Sequence, residues 1–155
     1  MASEPALAKK RGRERLMGKV YADITVVNGD DEALQSRGLL EAGAVRSVHL
    51  TDVLVDTGAT SLCLPAEIIG TLGLRLDREV SVETATGMAT ARLFRGALLT
   101  VEGRTDNFSC VELPGGQTPL LGVIPMEALG LEPDLIAQRL RLLPETTENT
   151  HITIL

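Results

Sequence analysis

The stretch VLVDTGATSLCLP, residues 53–65, decides how this chain is read. Val53-Leu54-Val55 has the composition of a buried strand. It runs straight into a carboxylate, Asp56, and then into Thr57-Gly58-Ala59. A carboxylate at the end of an apolar run is costly to desolvate unless it is paired or hydrogen-bonded. Asp56 is therefore either a turn former that ends the strand or a group kept there for chemistry. The apolar segment Leu62-Cys63-Leu64 predicts a second short strand on the far side of the turn.

Working outward, most of the chain has strand grammar. Val20, Ala22, Ile24 and Val26 alternate on one face and stop at Asn28-Gly29. Residues 30–45 are polar and glycine-punctuated and read as a loop or short excursion, before a strand from Arg46 into Asp56. Pro65 to Leu74 predicts one or two helical turns, with Pro65 at the first position and Gly70 or Gly73 as the stop. Residues 80–95 alternate on both sides of Thr86-Gly87 and predict a hairpin. A further strand pair turns near Gly103. After a Gly-rich loop come Leu120-Leu121-Gly122, a short helix over residues 125–134, and a last core strand at Gln138 to Pro144. The pattern is that of an all-β barrel or sandwich with one or two brief helices. Pro65 to Gly70 and Pro125 to Gly130 share the letters P-x-E-x-(I/L)-G, which suggests either common helix grammar or two related half-units.

Composition narrows the function. The length of 155 residues suits one domain, assigned here to residues 17–143. Residues 1–16 read as a basic, flexible arm and residues 144–155 as a tail whose alternating end could pair with a twin. Residues 1–19 carry a net charge of +4 and the remainder −10. An acidic body whose only aromatics are Tyr21, Phe94 and Phe108 offers no stacking platform, so no nucleic-acid partner is expected. No apolar run reaches the roughly 20 residues of a membrane helix, and the basic start lacks the apolar core of a secretory signal. A cytoplasmic location and no membrane partner are the expectations. Cys63, Cys110, His49 and His151 show no metal-ligand spacing, so neither metal nor other cofactor is expected, and Cys63 reads as a buried thiol.

Three features in a fixed order resemble the retropepsin-like aspartic proteases of the small cellular and bacterial type. They are the apolar strand running into Asp56-Thr57-Gly58-Ala59, the hairpin with Ala85-Thr86-Gly87 at its tip, and the triplet Leu120-Leu121-Gly122 before a short helix. The resemblance implies a closed β-barrel with a flap hairpin. It implies an aspartic endopeptidase in which two carboxyls hold one proton between them, because like charges that close cannot both ionise. The ionised member draws a proton from water, and the protonated member donates to the developing oxyanion. Since the chain has one Asp-Thr-Gly, the resemblance further implies a homodimer with two copies of Asp56 meeting on a two-fold axis.

On the same resemblance Thr57 braces the loop across the axis. Gly58 lets its backbone N–H reach the carboxylate, and the flap tip closes over a peptide or protein substrate. Ala59 stands where many pepsin-like enzymes have Ser, so one donor to the carboxylate is missing and activity at milder acidity is expected. Val123-Ile124-Pro125 departs from the Arg-Asn/Asp pair that follows the triplet in retroviral members. The alternative is a catalytically weak or inactive peptide-binding and dimerisation module of the same fold. A plain structural barrel with Asp56 as a turn former is the third reading.

Overall fold

The computed structural model describes residues 19–144 and Ile154. The basic arm, and the tail apart from Pro144 and Ile154, lie outside the described residues. Strand β1 (Val20–Asn28) buries Val20, Ala22, Ile24 and Val26, all on the face that their two-residue period assigns inward. It pairs antiparallel with β2 (Ser47–Val55), Val20 opposite Val55, and the register shifts between Ala22 and Ile24. β3 (Leu62–Pro65) is buried along its whole length. β4 (Arg75–Thr84) and β5 (Gly87–Val101) form the expected hairpin. Its tip is Ala85-Thr86, one residue earlier than the sequence suggests, because Thr84 pairs with Gly87.

β5 runs on for 15 residues, so the segment from Gly96 is the same strand rather than a new one. A register shift between Phe94 and Ala97 takes up Gly96, whose φ is 81°. The turn into β6 (Arg104–Leu113) is Glu102-Gly103, with φ of 51° and 76°. Positive φ at both central residues gives the twist a two-residue hairpin turn requires. β7 is the short Leu120–Leu121. The strand order is β1-β2-β7-β3-β6-β5-β4, and β5 also pairs with β1. The core lies among these strands, with Ile24, Leu62, Leu64, Leu99 and Leu121 fully buried.

The helices correct the sequence reading. Residues 30–45 are not simply a loop, since α1 spans Gly29–Ser36 and a 3-10 turn spans Ala42–Ala44. Asn28 does not end the strand in a turn. Its side chain accepts the Asp31 N–H at 3.0 Å and caps the helix, and Asp30, Asp31 and Glu32 complement the positive end. The Asn28 amide also donates to Leu72 O at 2.8 Å, tying α1 to the end of α2 (Ala66–Leu72). Pro65 is the N-cap of α2 rather than its first residue, Gly70 lies inside it, and Gly73 ends it at φ 61°. α3 spans Val123–Ala128, so it starts before Pro125 and stops before residue 134. Three short helices are therefore described, not one or two.

Leu131–Asp134 is instead strand β8, paired with β9 (Arg139–Leu142) in a separate two-stranded sheet. β9 is less of a core strand than its letters suggest, because only Leu140 is buried. Arg104 holds this sheet to the body. It donates to Leu129 O at 3.0 Å, Gly130 O at 2.8 Å and Leu143 O at 2.6 Å. No helix among the described residues is long and apolar enough to cross a membrane.

Candidate active site

The strand that sets up Asp56 is fixed from two sides. β2 pairs antiparallel with β1 and parallel with β7, Leu54 opposite Leu120 and Val55 opposite Leu121. The ladder is extended by one bond, from Asp56 N–H to Leu121 O at 3.0 Å. Val53 and Val55 point into the core, which leaves the next residue to turn outward, and Asp56 is half-buried. The chain then reverses. Ala59 N–H donates to Asp56 O at 3.1 Å, and Gly58 N–H donates to Asp56 Oδ1 at 2.8 Å. A carboxylate that accepts a backbone N–H has its orientation fixed and its negative charge partly solvated by the turn itself.

The triplet Leu120-Leu121-Gly122 meets this loop through the backbone. Leu121 faces Leu62 across the β3–β7 ladder, and Gly122 comes next. A Cβ on Gly122 would lie 2.5 Å from Ser61 O, 2.6 Å from Ser61 N and 2.7 Å from Ala59 O. These are backbone atoms that cannot swing aside, so the contact admits glycine alone. Past it, Val123 N–H donates to Ala59 O and Ile124 N–H to Thr60 O, both at 2.9 Å. Asp56, Ala59, Leu121 and Val123 thus form one hydrogen-bonded unit packed on Gly122, and Leu120 pairs with Leu54 beside it. Thr57 and Gly58 are exposed at its crest. The roles of Thr60 and Ser61 were not legible in the sequence, since they act through main-chain atoms.

The shared letters of the two helices do not sit alike. Pro65 caps α2, whereas Pro125 is inside α3, and Gly130 follows its helix at φ 65° while Gly70 lies within one. The strands beside them do match. β2, a loop, β3 and α2 are followed later by β6, a loop, β7 and α3, and β2 pairs parallel with β7 as β3 does with β6. The half-unit resemblance resides in this crossed pairing rather than in the P-x-E letters.

The hairpin-tip residues Ala85, Thr86 and Gly87 are exposed, and the bonds of the tip are local. Thr84 Oγ1 donates to Gly87 O at 2.7 Å and accepts Thr86 N–H at 3.3 Å, while Gly87 takes φ 123°. Two open clefts lie elsewhere. One of about 390 Å³ is lined by Asp77, Arg95 and Asn107, and one of about 540 Å³ by His49, Glu67 and Gln117. Neither includes Asp56.

Cys63 lies near the carboxylate. Burial, and then the Asp56 charge, push its thiol up to about 11. Burial raises Cys110 as well. Both cysteines are free and buried, and thiols held protonated are poor nucleophiles. Among the described residues no cluster of three His, Cys, Asp or Glu side chains is arranged to hold a metal ion.

No curated protein matches the chain. The family model described as Aspartyl protease matches residues 42–128, from the approach to β2 through the end of α3. That match spans more than half the chain and contains the whole bonded unit around Asp56. The chain belongs to this aspartyl protease family of the retropepsin-like clan.

Proposed function

We propose that the protein is an aspartic endopeptidase whose working unit is a homodimer, with Asp56 of each copy forming the catalytic dyad. The observation that carries this reading is the Asp56 loop. A partly exposed carboxylate sits at the end of a core strand, oriented by Gly58 N–H at 2.8 Å and locked by Gly122 beneath it. The motif occurs once in the sequence, so a second carboxyl of the same kind comes from a second copy. In the dyad one carboxyl is ionised and takes a proton from water, which attacks the scissile carbonyl. The other is protonated and donates to the oxyanion. The two titrate as a pair, and neither role is permanent to one chain.

The β4–β5 hairpin is the flap. Its tip, Ala85-Thr86-Gly87, closes over an extended peptide and limits water around the dyad. Pairing of β5 with both β6 and β1 supports a closed barrel as the frame for the site. Two free cysteines fit a reducing compartment such as the cytoplasm.

The test is cleavage of a pool of unstructured peptides between about pH 4 and pH 8. The wild type cleaves, a statine-type inhibitor blocks it, and Asp56→Asn loses at least about 10⁴-fold of the rate. Equal cleavage by the Asn variant would refute the assignment. A dimer that binds peptide without cutting it would favour a binding module.

A further inference from the structure

We propose that Arg92 and Glu112 clamp the β4–β5 hairpin where it leaves the sheet and so position it to close over a peptide, an inference that rests on the hairpin being the flap. The pairing registers locate the point of departure. β5 is bonded to β4 over residues 87–95, and to β6 only from Leu93, which lies opposite Val111. Among the described residues, 87–92 pair with β4 alone, so this stretch is a two-stranded arm held to the body at one end. β6 goes on past Val111 beside β3, with Leu64 opposite Glu112 and Pro65 opposite Leu113. A two-stranded hairpin is marginal by itself in water, so the arm depends on what ties its base.

That tie lies one step beyond the last shared pair. Arg92 Nε donates to Glu112 Oε1 at 2.8 Å, and Arg92 Nη2 donates to Glu112 Oε2 at 2.7 Å. The same guanidinium carbon lies 5.3 Å from the centroid of the Phe94 ring, which is buried. A bidentate carboxylate and an aromatic face thus hold the fork together. The Glu112 side chain is 16% exposed against 50% for Arg92, so the body supplies the more fixed partner. Glu79 faces Arg92 within the hairpin, and a contact inside the arm cannot tie it to the body. On β3, Leu62 lies opposite Cys110 of the same β6, and β3 is the strand that follows the Asp56 loop. The clamp therefore joins the hairpin to the frame of that loop. An exposed ion pair ordinarily contributes little to stability. At a hinge, a small bias is enough to change the fraction of molecules whose hairpin stands ready for substrate.

The experiment measures hydrogen exchange of the hairpin amides, and KM and kcat for an unstructured peptide, in the full chain. It compares wild type with Glu112→Gln, Arg92→Gln, the double variant and Glu79→Gln. Glu112→Gln and Arg92→Gln each raise KM about two- to fivefold with kcat unchanged. Amides of residues 80–91 exchange faster by a similar factor, while those of β1 do not change. The double variant goes no further than either single one, because both remove the same contact. Glu79→Gln, which removes a like charge inside the arm, leaves KM as it was. Unchanged hairpin exchange in the single variants, or effects that add in the double one, overturns the clamp and leaves the flap standing. An equal rise in KM with Glu79→Gln marks a general effect of charge and overturns the clamp as well. A hairpin that loosens while KM holds overturns the flap, and with it the clamp's part in the reaction.

Discussion

Gly122 and Cys63 show what single residues contribute around Asp56. Gly122 is required by contact rather than by conformation. Its φ of −92° suits any residue, but a methyl group would meet backbone at 2.5–2.7 Å. Gly122→Ala therefore forces the 59–61 loop and β7 apart. The expected cost is about 1–3 kcal/mol, the usual range for overpacking, measured by denaturant unfolding, with activity lost beyond what unfolding explains. Wild-type stability in that variant would mean that the loop is not seated on Gly122. Cys63 makes a chemical prediction. With its thiol pushed up to about 11 and its side chain buried, iodoacetamide at neutral pH should leave Cys63 unmodified and activity intact, as read by intact mass and peptide cleavage. Rapid alkylation with loss of activity would point to a thiol that takes part in the reaction. The letters Asp-Thr-Gly made Asp56 legible. The need for glycine at 122 was legible only as a pattern, since the backbone it accommodates, at Ala59 and Ser61, is distant in sequence and is brought to it only by the fold.

At the scale of elements, the strands were largely readable because alternation and turn residues act locally. Val20 to Val26 and the hairpin about residue 86 follow that rule. α1 was missed because its face carries little apolar periodicity. Among its residues only Asp31 is buried. That helix is held by polar contacts. Asp31 accepts Arg46 Nε at 2.8 Å, Arg46 Nη2 at 3.0 Å and the Arg46 N–H at 3.1 Å. The guanidinium bonds, with the backbone N–H next, hold the Asp31 carboxyl below the usual carboxylate range. A carboxyl depressed in the folded state stabilises fully above its unfolded value of about 3.9. That contribution is lost as pH falls through the lower, folded value. Acid unfolding followed by circular dichroism should therefore steepen below about pH 4. Asp31→Asn should be less stable than wild type at neutral pH, with the gap narrowing in acid. A gap that stays constant from neutral pH into strong acid would show that the pair does not set acid stability. β9 was readable as a strand, but β8 and its pairing were not, because the sheet's anchorage by Arg104 depends on three carbonyls from another part of the chain.

For the whole molecule, the crossed pairing of β2 with β7 and β3 with β6 makes one rigid unit of two distant segments. No local pattern reports such pairing, which is why the P-x-E letters pointed to the right elements for the wrong reason. That rigid unit presents one Asp56, and the proposed dyad needs two of them. The most direct measurement mixes a fixed amount of wild type with increasing Asp56→Asn protein, after dissociation and reassociation, and follows peptide cleavage. With a dyad shared between chains, one equivalent of the Asn variant captures half the wild-type chains in dead mixed dimers and halves the activity, and further variant lowers it in proportion to the wild-type fraction. Activity that does not change as the variant is added would mean that each chain cleaves alone, and would contradict the shared site.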